Sequence, residues 1–221
     1  METRFGRWAI DIRKSLLLLF SIFLLVSACA LPVRKAVTVD TSLPVGSVQT
    51  DAFVGERFPF KIKIPAGWEA STKYPAFLLE QGYGREGLES TPFFLFNPGT
   101  KSNLQIDFVP AATTARFSQK TMESLTRSVG QGLEAEVHQE HGKGTPIELS
   151  KVTPVKLKGV PYAARESAKL SIKGEPREQG WIYAFAEPYQ IFILYLLTGE
   201  NREADRESLD RALSSFEYFG R

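Results

Sequence analysis

Apolar side chains alternate with polar ones along much of this chain. From Arg57 to Ile64, Phe58, Phe60, Ile62 and Ile64 fall on one side, and Lys61 and Lys63 on the other. A period of two predicts a strand with one wet face. Pro65-Ala66-Gly67 closes it in a turn. Leu104–Val109 repeats the pattern, with Leu104, Ile106 and Phe108 inward and Gln105 and Asp107 outward. Tyr74–Leu79 and Pro92–Phe96 read as two more strands, separated by a glycine-rich loop from Gly82 to Gly87. The period then changes. Met122, Leu125, Val129 and Leu133 recur on one helical face, and Ser118 is suited to cap that helix. Gly130 and Gly132 weaken its end, so the polar stretch 136–146 reads as loop.

Further strands follow at Ile147–Val152, Val155–Leu157 and Pro161–Ile172. Trp181–Ala186 and Ile191–Leu197 are apolar on both alternating faces, which predicts strands covered on both sides. The short link at Pro188-Tyr189 makes them an antiparallel hairpin. A last helix runs from Arg202 to Ser215, with Leu209, Ala212, Leu213 and Phe216 as its apolar stripe. Glu207 and Arg211 form an i,i+4 pair on its wet side. Doubly covered strands, few helices and hairpin links imply an α+β fold, an antiparallel sheet flanked by helices on both faces.

The N-terminal end has a different pattern. Arg4, Arg7, Arg13 and Lys14 precede an apolar run from Leu16 to Val26, and Ser27 and Ala28 close it before Cys29. The order is that of a secretory signal, and the run is shorter than the ~20 residues that span a bilayer. Cys29 is the only cysteine of the 221 residues. Val26-Ser27-Ala28-Cys29 resembles the lipobox of bacterial lipoproteins. That resemblance implies cleavage before Cys29, acylation of its thiol and anchorage in membrane lipid. Two or three acyl chains hold firmly where one holds marginally. Ala30, not Asp, after the cysteine resembles the class destined for the outer membrane, facing the periplasm. The expected division is a signal peptide at 1–28, a lipidated cysteine and flexible tether at 29–52, and one domain at 53–221.

Charge follows the same boundary. The signal-like segment carries four of the 27 basic and two of the 25 acidic residues, so the remainder is balanced. An electrostatic nucleic-acid surface is therefore not expected.

Few residues carry chemistry. No Gly-x-Ser-x-Gly elbow and no phosphate-cradling glycine loop with a Lys-Ser/Thr pair is present. The two histidines, His138 and His141, lie near Glu134, Glu136 and Glu140. Three residues apart on a helix they would share a face and form a weak metal-ligand pair. The order His-Gln-Glu-His matches neither zincin pattern, so a solvated polar loop is the preferred reading. A hydrolase built on paired carboxylates ranks last. No cofactor is expected, and the domain is not expected to be an enzyme. Trp68, Tyr74, Tyr83, Trp181, Tyr183 and Tyr189 either fill the core or line a groove, and Trp68 and Tyr189, in turns, are the expected exposed pair.

The order of elements, with Ile64-Pro65-Ala66-Gly67-Trp68 after an early strand and a C-terminal helix ending Ser214-Ser215-Phe216, resembles the PsbP/DcrB superfamily of α/β/α sandwiches. The resemblance implies an accessory or partner-binding domain without a shared active site, and an envelope protein as partner. The alternative is a small-molecule or metal carrier using loops 82–87 and 130–144. A concave pocket with convergent polar groups favours the carrier. An exposed apolar patch favours the partner.

Overall fold

The computed structural model describes residues 37–112, 116–172, 174–199 and 202–220. Cys29 and the signal-like segment lie outside them. Two antiparallel sheets organise the described chain. The larger takes β4 (Glu69–Ser71), β5 (Phe93–Phe96), β6 (Asn103–Pro110), β7 (Ile147–Leu149), β8 (Thr153–Pro154), β9 (Tyr162–Ile172), β10 (Glu175–Ala186) and β11 (Tyr189–Thr198). Its order is β4-β5-β6-β11-β10-β9-β7, with β8 also paired to β9. The smaller has the order β1-β2-β3-β12, from Gly46–Gln49, Ala52–Gly55, Phe60–Lys63 and Glu217–Tyr218.

The hairpin apolar on both faces is the centre of the larger sheet. Trp181 pairs with Leu194 and Ile182 with Ile193, so successive residues face opposite layers. On one side Ile182, Ala184, Ile191, Ile193 and Leu197 join Phe60 and Ile62 of β3 and Leu209, Ala212 and Leu213 of the C-terminal helix α4 (Arg202–Ser215). On the other side Trp181, Ala168 and Leu170 pack under Val137 of the long helix α3 (Gln119–His141). Met122, at its other end, packs with Ala164 and Phe185. Two short helices, α1 (Phe77–Glu80) and α2 (Arg85–Ser90), cover Phe94 with Leu78 and Leu88. Helices therefore lie on both faces of an antiparallel sheet, the expected class, and the small sheet shares the layer of α4.

Helix α4 is fixed by polar as well as apolar contacts. Arg206 donates twice to Glu178, at 2.7 Å to Oε1 and also to Oε2. Asp205 accepts from Asn97 Nδ2 at 2.9 Å and Thr100 Oγ1 at 2.6 Å. Arg165 reaches Asp210 at 3.0 Å and donates to the Tyr195 hydroxyl from Nε and Nη2 at 3.0 and 2.8 Å. Tyr195 lies opposite Gly180, over which its ring leaves no room for a Cβ.

Several expectations are corrected. Residues 136–141 are the last turns of α3, not loop: Val137 continues the apolar stripe and is buried, and Gly142, at φ 92°, ends the helix. Gly130 does not break the helix. It lies against Glu166 and Trp181, where a side chain would crowd both. The run Tyr74–Leu79 is not a strand. It enters α1 after Pro75, and short apolar runs do not distinguish the two states by period. Part of the glycine-rich loop is α2. The expected tether contributes to the fold from Val37 on: Val37, Val39 and Val45 pack on the core, and β1 pairs with β2. Strand β1 has no buried face, so it leaves no alternation to read.

Candidate functional site

The cleft follows from strand register. Directly paired residues share a face, so Glu166, Trp181, Leu194, Gln105 and Phe94 form one line across the large sheet. Helix α3 covers its Trp181 end, and α1 with α2 covers its Phe94 end. The next lines toward the end of β10 run Ala168, Gln179, Leu196, Asn103 and then Leu170, Arg177, Thr198. Here the two helical covers stand apart. The space between them is a cavity of about 540 Å³. Its floor is Leu170, Arg177, Gln179 and Leu196. Leu133, Glu136, Val137, Glu140 and His141 of α3 form one wall, and residues 80–84 form the other. Asn103 Nδ2 donates to Gln81 Oε1 at 3.1 Å, tying that second wall to the floor. The size falls within the ~300–1,000 Å³ of small-molecule sites.

Two groups of the lining have polar atoms without partners. The Tyr83 hydroxyl and Arg177 Nε are buried and have no hydrogen-bond partner among the described residues. Burial drives the Tyr83 hydroxyl far above its usual pKa, against a smaller downward pull from Arg177. The Arg177 side chain is 22% exposed, and its ion pair to Glu175 is 3.3 Å long with a glutamate 75% exposed. Such a pair contributes little. Arg177 also borders a second cavity, of about 760 Å³, with Lys101, Thr198 and Arg202. Arg202 Nε is buried and unpartnered there as well. Lys101 is held by Glu80 at 3.1 Å.

The segments singled out in the sequence, 82–87 and 130–144, thus meet at one cavity, though the second contributes a helix wall. The two histidines divide. His141 lines this cavity, whereas His138 lines another with Ala135, Gln139 and Lys143. Among the described residues, no group of three or more His, Cys, Asp or Glu is placed to hold a metal ion. Trp68 and Tyr189 are not an exposed pair: at 6% and 7% exposure both belong to the main core, where Tyr189 sits edge-on to Phe58 and Phe108. Tyr189 is the first residue of β11, not a turn residue, and both side chains turn inward to pack in the core shared with Phe58, Phe60 and Ile62.

Arg177, Gln179 and Arg202 were not legible as site residues. A signal existed: Arg177 and Gln179 alternate with Trp181 and Tyr183 on a face otherwise apolar, and a polar residue on a covered face needs a reason.

No protein-family model matches the chain, and no curated protein does. Solved structures do resemble it. The cyanobacterial PsbP (CyanoP) of Synechocystis is 14% identical over 72% of this chain and 86% of its own, with a TM-score of 0.46. LpqN of Mycobacterium tuberculosis, involved in cell envelope biogenesis, is 9% identical over 73% and 84%, with a TM-score of 0.45. A protein of Bacteroides thetaiotaomicron is 12% identical over 78% of this chain and 50% of its own, with a TM-score of 0.43. The chain is an α+β protein of antiparallel sheets with helices on both faces. Among the described residues, no helix is long and apolar enough to cross a membrane.

Proposed function

We propose that this chain is an envelope lipoprotein, anchored through acylated Cys29, whose domain binds a small molecule in the cleft between α3 and residues 80–84 and performs no chemistry on it. One observation carries the binding reading: two distant segments converge on a concave site with buried, unpartnered polar groups. The lipobox-like order Val26-Ser27-Ala28-Cys29 supports the anchor, and Ala30 after the cysteine supports the outer-membrane, periplasm-facing location. The resemblance to the PsbP/DcrB superfamily supports a non-catalytic role. Cell envelope biogenesis, named for LpqN, is the setting that suits an anchored binding domain. A partner surface at Trp68 and Tyr189 loses both residues to the core, so the carrier reading stands ahead of it.

Two measurements test this. Cys29→Ala is expected to abolish membrane fractionation and leave the precursor uncleaved; a cleaved, membrane-bound variant overturns the anchor. Native mass spectrometry of the protein purified from its host is expected to show a bound small molecule that Leu133→Trp, filling the cleft, expels. A cargo-free wild type held in a stable complex with another protein overturns the carrier reading.

A further inference from the structure

Four buried side-chain polar atoms lack a hydrogen-bond partner among the described residues. One, Glu166 Oε2, lies under α3. The other three, Tyr83 Oη, Arg177 Nε and Arg202 Nε, border the two cavities that share Arg177. Arginine Nε donates and never accepts, and a tyrosine hydroxyl can donate. A buried donor left without an acceptor is a standing penalty, and three of them around two cavities joined at Arg177 call for the same complement.

We infer that the cleft binds an amphipathic anion, its apolar chain over Leu133, Val137 and Leu196 and its carboxylate or phosphate oxygens taken by Tyr83 and Arg177, with Arg202 reaching them from the adjoining cavity. This assignment rests on the cleft being the binding site. The apolar half of the lining excludes a bare inorganic ion as the preferred ligand, because Leu133, Val137, Leu170 and Leu196 offer it nothing. The two guanidinium groups exclude a purely apolar one, since covering them would strand their charge. Glu80, Glu136 and Glu140 also line the cavity, but all three are exposed, where solvent and salt screen them. The Arg177 guanidinium is mostly enclosed, and its partner Glu175 is not. The favourable end for an anion is therefore the Arg177 side, between the two cavities.

The test uses the chain from residue 29 with Cys29→Ala, because every described element lies within residues 37–220. Calorimetric titration compares dodecanoate and dodecyl phosphate, as free monomers, with dodecanol and with phosphatidylglycerol vesicles. One or both monomeric anions are expected to bind about tenfold tighter than the alcohol, the effect of one charge-assisted hydrogen bond. Arg177→Gln is expected to remove that advantage. Tyr83→Phe is expected to weaken the anion about fivefold while leaving the free protein as thermally stable as wild type or more so, since it deletes an unpartnered hydroxyl. A merely structural hydroxyl would move the melt and not the affinity. Should Arg177→Gln fail to fold, Tyr83→Phe decides alone. Dodecanol binding as tightly as the anions overturns the headgroup assignment and leaves the cleft reading intact. Binding only to vesicles assigns the cations to a membrane surface and overturns the enclosed site. No binding of any probe overturns this inference, while cargo expelled by Leu133→Trp would still uphold the cleft.

Discussion

Glu166 shows what one residue can reveal about a covered face. It is 5% exposed, and its Oε2 lies unpartnered where Gly130 of α3 comes down on the sheet. Burial holds its carboxyl above the usual range, with Arg127 pulling the other way. The folded state thus binds this proton more tightly than the unfolded chain does. The stability it contributes is complete below the ordinary glutamate value and is lost as pH rises through the raised one. Glu166→Gln should therefore match wild type near pH 4 and exceed it by about 1 kcal/mol at pH 7, the size of one buried unpaired group. Urea unfolding at the two pH values checks this, and a constant difference would refute the assignment. In the sequence Arg177 and Glu166 appear as ordinary polar residues of strand regions and Tyr83 as a residue of a glycine-rich loop. What marks them is the absence of an acceptor or donor nearby, which depends on neighbours far along the chain.

At the scale of elements, strong periodicity was legible and weak periodicity was not. The β10–β11 hairpin, the Ser118 cap and α4 lie where the apolar pattern puts them, and Ser118 Oγ accepts from the Thr121 amide at 3.1 Å. The short runs at α1 and α2 were ambiguous because four to six residues span hardly more than one helical turn, too few for a period to recur. The far end of α3 was hidden by its glycines, of which Gly130 allows close approach to Glu166 of β9 and Trp181 of β10. Helix α4 shows how an element can depend on charge. Glu178 is 3% exposed and Arg206 is 28% exposed, so the arginine is what makes the buried carboxylate tolerable. Arg206→Ala should cost about 3–5 kcal/mol, read from the urea midpoint, whereas replacing both residues by apolar ones of similar volume should cost much less. Equal losses in the two variants would deny the pair that role.

For the molecule as a whole, the class of fold was readable because doubly apolar strands require cover on both sides. The second sheet was not readable. Its first strand is exposed, and its last meets β3 at two residue pairs, Glu217 with Lys61 and Tyr218 with Phe60. That last strand nevertheless brings Phe216, 1% exposed, into the main core beside Phe60. Phe216→Ala should cost about 3–5 kcal/mol by chemical denaturation, the range for a buried phenylalanine. A loss below 1 kcal/mol would mean the small sheet is an ornament.

The pairing of Lys61 with Glu217 also sets an order in time. A chain delivered across a membrane from its N-terminal end presents β1, β2 and β3 first, and Phe60 and Ile62 then wait, uncovered, for residues 216–218 to follow. Closing so long a loop is slow compared with local hairpins. If the chain is exported and anchored as proposed, the early strands emerge as adhesive surface beside Cys29, and the chain must be kept from its neighbours until its far end arrives to shut it.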